Sequence, residues 1–285
     1  MKPVIVLLAF GNNEGIFAES LLCIASWLRF EKDFEFDICI FTDRPTYYST
    51  SYLSKKLLIV PITTEKIEEW KKPYGFIFRA KIKCLQEASL LFKEPLLYLD
   101  TDTVLLKPPT ELWNHLASGG LIMHADEGLI RLESNPIMRK MHRFLLREKP
   151  RYQGLNQKPE LLSMWNAGVL GFSTQQSEWL NLILEVSDDL YHRYPKHMME
   201  QFAFSWVFQE RGKLKAAYEY IWHYWFYKSF REQLLPHVNG MLSAKNQLEL
   251  WEIAEPFYDQ LLQKVGPEPK APFIDRLLKR IKILF

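Results

Sequence analysis

Leu96-Leu97-Tyr98-Leu99-Asp100-Thr101-Asp102-Thr103-Val104-Leu105-Leu106 is the stretch that decides how this chain folds. An apolar run leads into two carboxylates spaced i, i+2, and more apolar residues follow. A short continuous run of this kind fits a strand buried on both faces, as in the middle of a parallel sheet. Ligand crevices in such sheets lie outside the carboxyl ends of the strands. Side-chain direction alternates with period 2, so Asp100 and Asp102 are expected on one side of that mouth. Two hard oxygen ligands converging on one point suit a divalent cation, and a cation there neutralises a diphosphate. The plainer reading is a polar turn in which Asp and Thr satisfy nearby backbone groups.

Upstream, strands and helices alternate. Val4–Phe10 reads as an apolar strand, and Ile16, Leu21, Ile24, Ala25 and Leu28 recur at helical spacing. Phe36–Phe41 and Leu57–Val60 read as further strands, Thr64–Lys71 as a short charged helix and Phe76–Phe92 as a longer one. This order implies right-handed crossovers and a mainly parallel α/β sheet, with the acid pair on its fourth strand. A helix is expected from Glu111, an apolar run at Leu121–Ala125 ending in a second acid pair, Asp126-Glu127, and a helix around Ile137–Leu146. The polar, basic stretch from Glu133 to Pro159 is where acceptor-facing loops are expected.

At 285 residues the chain has room for one large α/β domain. Hydrophobic residues at 48% and charged residues at 25% exclude long disorder. A formal charge of +2 leaves no nucleic-acid footprint. Aromatics at 14% suit sugar faces, although core packing is their commoner use. Cys23, Cys39 and Cys84 lie far apart in apolar surroundings, with no pairing or metal spacing, which points to buried thiols in a reducing compartment. The apolar start is too short for a signal peptide and is followed by Gly11-Asn12-Asn13-Glu14 instead of a cleavage site. No apolar run reaches bilayer-spanning length. A cytoplasmic protein is expected.

The central stretch resembles the Asp-x-Asp motif of metal-dependent GT-A glycosyltransferases; it also resembles the first motif of haloacid-dehalogenase-type phosphatases. In the phosphatases the motif opens the domain and a later acidic cluster stands at a strand end. Here a complete nucleotide-binding-sized half precedes it. Ser187-Asp188-Asp189 follows Leu180, Leu182, Ile183 and Val186, which keep a helical period. Both points favour the transferase.

Met164-Trp165-Asn166-Ala167-Gly168-Val169-Leu170-Gly171-Phe172 strengthens that resemblance. Small residues let a backbone approach a ligand, and an Asn amide can bridge sugar hydroxyls. The stretch resembles the Asn-Ala-Gly strand facing the Asp-x-Asp pair in glycosyltransferase family 8, the glycogenin-like and bacterial lipooligosaccharide galactosyltransferase-like enzymes. His197-Met198-Met199-Glu200-Gln201-Phe202-Ala203 is similar to the family's Asp-Gln-x-Ala helix, with Glu in place of Asp. Tyr218–Trp225 reads as a late strand carrying His223, with Lys228 beyond it. The resemblance implies that His223 completes the metal site and Lys228 reaches the diphosphate; His237 is the alternative ligand. The family's Lys-Pro-Trp ending is missing. Arg79 matches the family's basic residue on the helix before the motif, with Lys83 on the same helix face. At the first strand, Ala9-Phe10-Gly11-Asn12-Asn13 keeps the family's amides and lacks its Tyr.

The resemblance thus implies a GT-A fold over 1–265, and a retaining transfer of a sugar from a nucleotide-diphosphate donor, UDP-linked, with Mn2+ or Mg2+ as cofactor. Asp100, Asp102 and His223 would hold the metal. Ala9, Asn12, Arg79, Thr101, Gly168 and Lys228 would hold the donor, with Glu200, Gln201 and Asn166 beside the sugar. The acceptor would be a saccharide or lipid-linked saccharide. A phosphatase with Asp100 as nucleophile, a nucleotidyltransferase and a non-catalytic sugar-binding membrane protein are the other readings. After Gly266-Pro267-Glu268-Pro269, residues 266–285 form a separate tail. Phe273, Ile274, Leu277, Leu278, Ile281, Leu284 and Phe285 share one helical face, with Arg276, Lys279, Arg280 and Lys282 on the other. A basic amphipathic helix of this type lies in an anionic membrane surface, so 271–285 are expected at the inner face of the membrane.

Overall fold

A computed structural model describes residues 2–50, 52–132 and 136–264; the tail at 266–285 lies outside the described residues. The strands are β1 Val4–Ala9, β2 Asp37–Thr42, β3 Leu57–Pro61, β4 Leu96–Leu99, β5 Thr103–Leu105, β6 Leu121–Met123, β7 Asp126–Leu129, β8 Ser163–Trp165, β9 Val169–Phe172, β10 Leu214–Ala216 and β11 Ile221–His223. The helices are α1 Glu14–Leu28, α2 Leu53–Lys56, α3 Thr64–Lys71, α4 Arg79–Leu91, α5 Thr110–Ala117, α6 Pro136–Glu148, α7 Trp179–Arg193, α8 Met199–Arg211, α9 Phe230–Leu234, α10 Val238–Ser243 and α11 Gln247–Lys264.

Seven strands form the central sheet in the order β10-β6-β9-β4-β1-β2-β3. Its pairs are parallel except where β9 runs antiparallel between β4 and β6. The apolar strands earn their central places because both faces are covered. On β1, Val4, Val6 and Leu8 pack into one hydrophobic layer with residues of α4, α7 and α8, while Ile5, Leu7 and Ala9 pack into the other with α1 and α11. Asn13 caps α1 by accepting the Gly15 N–H at 3.0 Å, and Glu14 follows in the favourable first turn. Where α1 ends, the Arg29 guanidinium donates to the carbonyls of Leu105 and Leu106 and to the Tyr258 hydroxyl, joining the helix to β5 and α11.

Three elements are shorter than their sequence patterns suggest. Phe76–Phe78 form turns, so the long helix begins at Arg79. The late strand is only Ile221–His223, because the Tyr220 N–H turns back to the Ala217 carbonyl. Gly11 at φ +95° breaks the chain away from β1 after Ala9. Asp126-Glu127 begin a separate two-stranded ribbon, β7–β8, instead of ending β6. Among the described residues, no helix is long and apolar enough to cross a membrane.

The reversed strand places the site. Because β9 is antiparallel to β4, with Leu99 opposite Val169, the start of β9 lies beside the end of β4. Asn166-Ala167-Gly168 therefore meet Asp100, whose N–H donates to the Gly168 carbonyl at 2.8 Å. The chain then turns through Thr101-Asp102 into β5, which pairs with β11 so that Thr103 stands opposite His223.

Candidate active site

Asp100, Asp102 and His223 each turn one ligand atom toward a common point, all within 4.8 Å of one another. His223 Nε2 lies 3.1 Å from Asp102 Oδ1 and 3.8 Å from Asp100 Oδ2. Its ring orientation follows from a chain of hydrogen bonds. The Asn166 amide donates through Nδ2 to Glu127 at 3.1 Å, and its Oδ1 accepts the Gly168 N–H at 2.9 Å. That oxygen can then only accept from His223 Nδ1, also at 2.9 Å. Nδ1 thus carries a proton, and Nε2 is the nitrogen turned to the acid pair, where it would be the one to ligate an ion, the ring orientation and outer support typical of a metal-binding histidine. Gly168 is required here, since a side chain on it would run into the His223 ring. Two acids and an imidazole suit manganese or magnesium chemistry, and these residues fit such an ion.

Two lysines meet the two acids. Lys81, from α4, is buried; its ammonium lies 3.2 Å from Asp100 Oδ1 and 3.4 Å from Glu200 Oε1, and donates to the Ala167 carbonyl at 3.0 Å. Burial alone would lower its pKa, but the charges of Asp100 and Glu200 outweigh it and hold the lysine protonated. Glu200, in the first turn of α8, is 2% exposed, and burial pushes its carboxyl up to about 7 against the pull of Lys81. Its Oε1 has no hydrogen bond, so the contact with Lys81 is an ion pair without hydrogen-bond geometry. Lys228 donates to Asp102 Oδ2 at 2.6 Å. Burial would raise the Asp102 pKa, yet His223 and Lys228 together hold it well below the usual carboxylate range. Tyr98 donates to Asp100 at 3.0 Å.

The expected site residues divide into groups. Asp100, Asp102, His223, Lys228, Asn166, Gly168 and Glu200 form one connected cluster. Gln201 joins through Glu127, to which it donates at 2.9 Å. Thr101 is buried between the two acids. The β1–β4 register, Leu7 opposite Leu99, puts Ala9 at the level of Thr101 on the same edge of the sheet. Asn12 is exposed in the loop beyond. There the Gly11 N–H is held by Asp43 at 2.9 Å and the Gly11 carbonyl by Arg44, tying the exits of β1 and β2 together.

Arg79 is not in the cluster. Its guanidinium holds Asp188 on α7 at 2.9 Å and the Trp70 carbonyl at 2.7 Å. Two residues along a helix is a turn of about 200°, so Arg79 and Lys81 face opposite ways, and Lys81 stands where the basic residue was expected. Lys83 donates to Gln86 on its own helix. His237 ends a short turn after α9 and packs on Phe257 of α11, with ring centroids 4.6 Å apart. Asp188 and Asp189 lie inside α7, bound to Arg79 and to Tyr152 and Arg193. They form no acidic cluster at a strand end of the kind a phosphatase would need. Lys81 is not among the site residues that the sequence suggests, and Glu127 enters there only as half of an acid pair after an apolar run. Cys23 and Cys39 are inert, their thiols pushed up to about 12 by burial.

No family model matches the sequence, and no curated protein matches it closely enough to be a relative. The fold does have solved counterparts. The galactosyltransferase LgtC, solved with donor and acceptor sugar analogues, superposes with a TM-score of 0.50 at 16% identity, covering 75% of this chain and 74% of its own. Mouse xyloside xylosyltransferase 1, in its apo form, also gives 0.50, at 14% identity over 76% of this chain and 85% of its own. With its mostly parallel seven-stranded sheet and an acid pair at the end of the central β4, the chain has the fold of the GT-A glycosyltransferases.

Proposed function

We propose that the protein is a metal-dependent glycosyltransferase that moves a sugar from a nucleoside-diphosphate donor, UDP-linked, to a saccharide or lipid-linked saccharide. The observation that carries this reading is the convergence of Asp100, Asp102 and His223 at the crevice of a GT-A fold. These three would hold Mn2+ or Mg2+, which when bound neutralises the diphosphate and stabilises the charge growing on the leaving group. Lys81 stands behind Asp100 as a buried counter-charge. Lys228 offers a cation at the open side, where a phosphate oxygen can replace Asp102 as its partner. Asn166, Gln201 and Glu127 present amides and a carboxylate to sugar hydroxyls, and Glu200 fixes Lys81. The transfer is proposed to retain anomeric configuration. Residues 271–285 would hold the protein at an anionic membrane on the cytoplasmic side; cosedimentation with anionic vesicles, lost on truncation at residue 265, checks this.

A thermal-shift panel of nucleoside-diphosphate sugars, each with Mn2+ and with chelator, tests the reading on wild type and Asp102→Ala. A ligand bound only by the native state raises the melting temperature with occupancy. A metal-dependent shift with one donor family, absent in the variant, is expected. No shift with any donor would sink the proposal. Proton NMR of the product would then assign its anomer.

A further inference from the structure

Besides Asp102 and Glu200, Glu19 is the one fully buried carboxylate among the described residues. It sits in the middle of α1, surrounded by the enclosed Phe17, Ala18, Leu21 and Leu22. A carboxylate in such a place is expensive unless it is paired. Its Oε2 accepts the Arg231 Nε–H at 2.6 Å, and its Oε1 has no hydrogen bond. Burial pushes the carboxyl up to about 7; the Asp102 charge adds to that, while Arg231 and Lys228 oppose it. The pair therefore lies within electrostatic reach of the acid pair although Glu19 does not reach the crevice.

Arg231 closes a strap that begins at the site. The Tyr224 N–H donates to the Asp102 carbonyl at 3.0 Å, Tyr227 to Tyr224 at 2.8 Å, Phe230 to Tyr227 at 3.1 Å and Arg231 to Lys228 at 3.2 Å. These successive turns run from the acid pair to α9, with Lys228 between. Gly15, one turn before Glu19 on α1, makes room for the Arg231 stem: a Cβ there would lie 2.7 Å from both Cβ and Cδ of Arg231. Lys228 itself is 53% exposed and has a flexible stem, so little besides its backbone fixes its reach.

We propose that Glu19 and Arg231 are a positioning pair that anchors the 224–231 strap so that the Lys228 ammonium stands at Asp102, where it would meet a donor diphosphate. The proposal rests on the transferase reading above. The pair acts through Lys228 and through no contact of its own with the ligand.

Calorimetric titration of UDP with Mn2+ into wild type, Glu19→Gln, Lys228→Met and the double variant tests it. Glu19→Gln keeps the shape and an acceptor for Arg231 but removes the charge. Affinity is expected to fall about three- to tenfold in the wild-type background and to stay unchanged when Lys228→Met is already present, the non-additivity of residues that share one route. Equal losses in both backgrounds would overturn the proposal, since a general structural role predicts them. Arg231→Lys, a milder change, should give a smaller loss with the same dependence on Lys228 and serves if Glu19→Gln fails to fold. Should the wild type bind no nucleoside diphosphate, the transferase reading fails instead. Hydrogen exchange over 224–231 then decides the anchoring: faster exchange in Glu19→Gln supports it and unchanged exchange refutes it.

Discussion

Asp100 and Asp102 are two residues apart, yet the lysines that meet them belong to different kinds of structure. Lys81 comes from the middle of a packed helix, is 8% exposed and is shared among Asp100, Glu200 and the Ala167 carbonyl. Lys228 comes from a turn-rich strap, is half exposed and holds Asp102 alone. The first is a fixed counter-charge that belongs to the fold. The second can leave, because Asp102 would still have His223. One side of the site is built for stability and the other for exchange.

The most damaging change should therefore be Lys81→Met, which removes the counter-charge from the buried Glu200 and the partly exposed Asp100. Breaking a buried pair from one side costs about 3–5 kcal/mol, measurable by urea denaturation. Adding Glu200→Gln should recover part of the loss; no recovery would mean that Lys81 works mainly through the Ala167 carbonyl. Next comes Asp102→Ala, expected to lower transfer by about 10²- to 10³-fold, the scale seen when one stabiliser of developing charge is removed. Mn2+ titration followed by electron paramagnetic resonance would show the lost ion.

Which lysine fills which place was only partly legible in the sequence. Asp100, Asp102 and Asn166-Ala167-Gly168 could be read because each is a short contiguous string next to a strand, although the structure holds them in the β4–β5 and β8–β9 turns and not on one strand of period 2. The basic residue on α4 needed helical phase. Lys81 shares its face with Cys84, Leu85 and Ala88, all buried, whereas Arg79 shares its face with Lys83 and Gln86. A lysine on an apolar stripe was the available signal. Glu19–Arg231 and Glu127–Gln201 left no such trace, since 212 and 74 residues separate the partners and only the finished fold brings them together.

Titration sharpens the contrast between the two sides. The Glu200 carboxyl rises from 4.5 to about 7 in the folded protein, so the native state binds that proton more tightly than the unfolded chain. Its contribution is fully present below about pH 4.5 and is lost as the pH climbs to about 7. His124, stacked edge-on against His223, works oppositely: burial, reinforced by the His223 charge, lowers it from 6.5 to about 3, so its share is lost as pH falls below 6.5. The difference in unfolding free energy between wild type and Glu200→Gln, followed from pH 4.5 to 7, should slope downward; a flat difference would mean that Glu200 stays ionised. Smallest of all should be the effect of Lys228→Met on stability, because Lys228 is half exposed and Asp102 keeps His223, although metal-dependent UDP affinity should drop about tenfold. A large loss of stability would make Lys228 a second Lys81.

The pairing of β5 with β11 has a kinetic consequence. Thr103 and His223 meet in that ribbon across most of the chain's central length, so the imidazole reaches the two aspartates only after the intervening β6, β9 and α8 have been laid down. Pairings of such long range form late in folding. Uptake of Mn2+ during refolding should therefore lag behind the burial of the tryptophans, and the ion would serve as a clock for the last step of assembly.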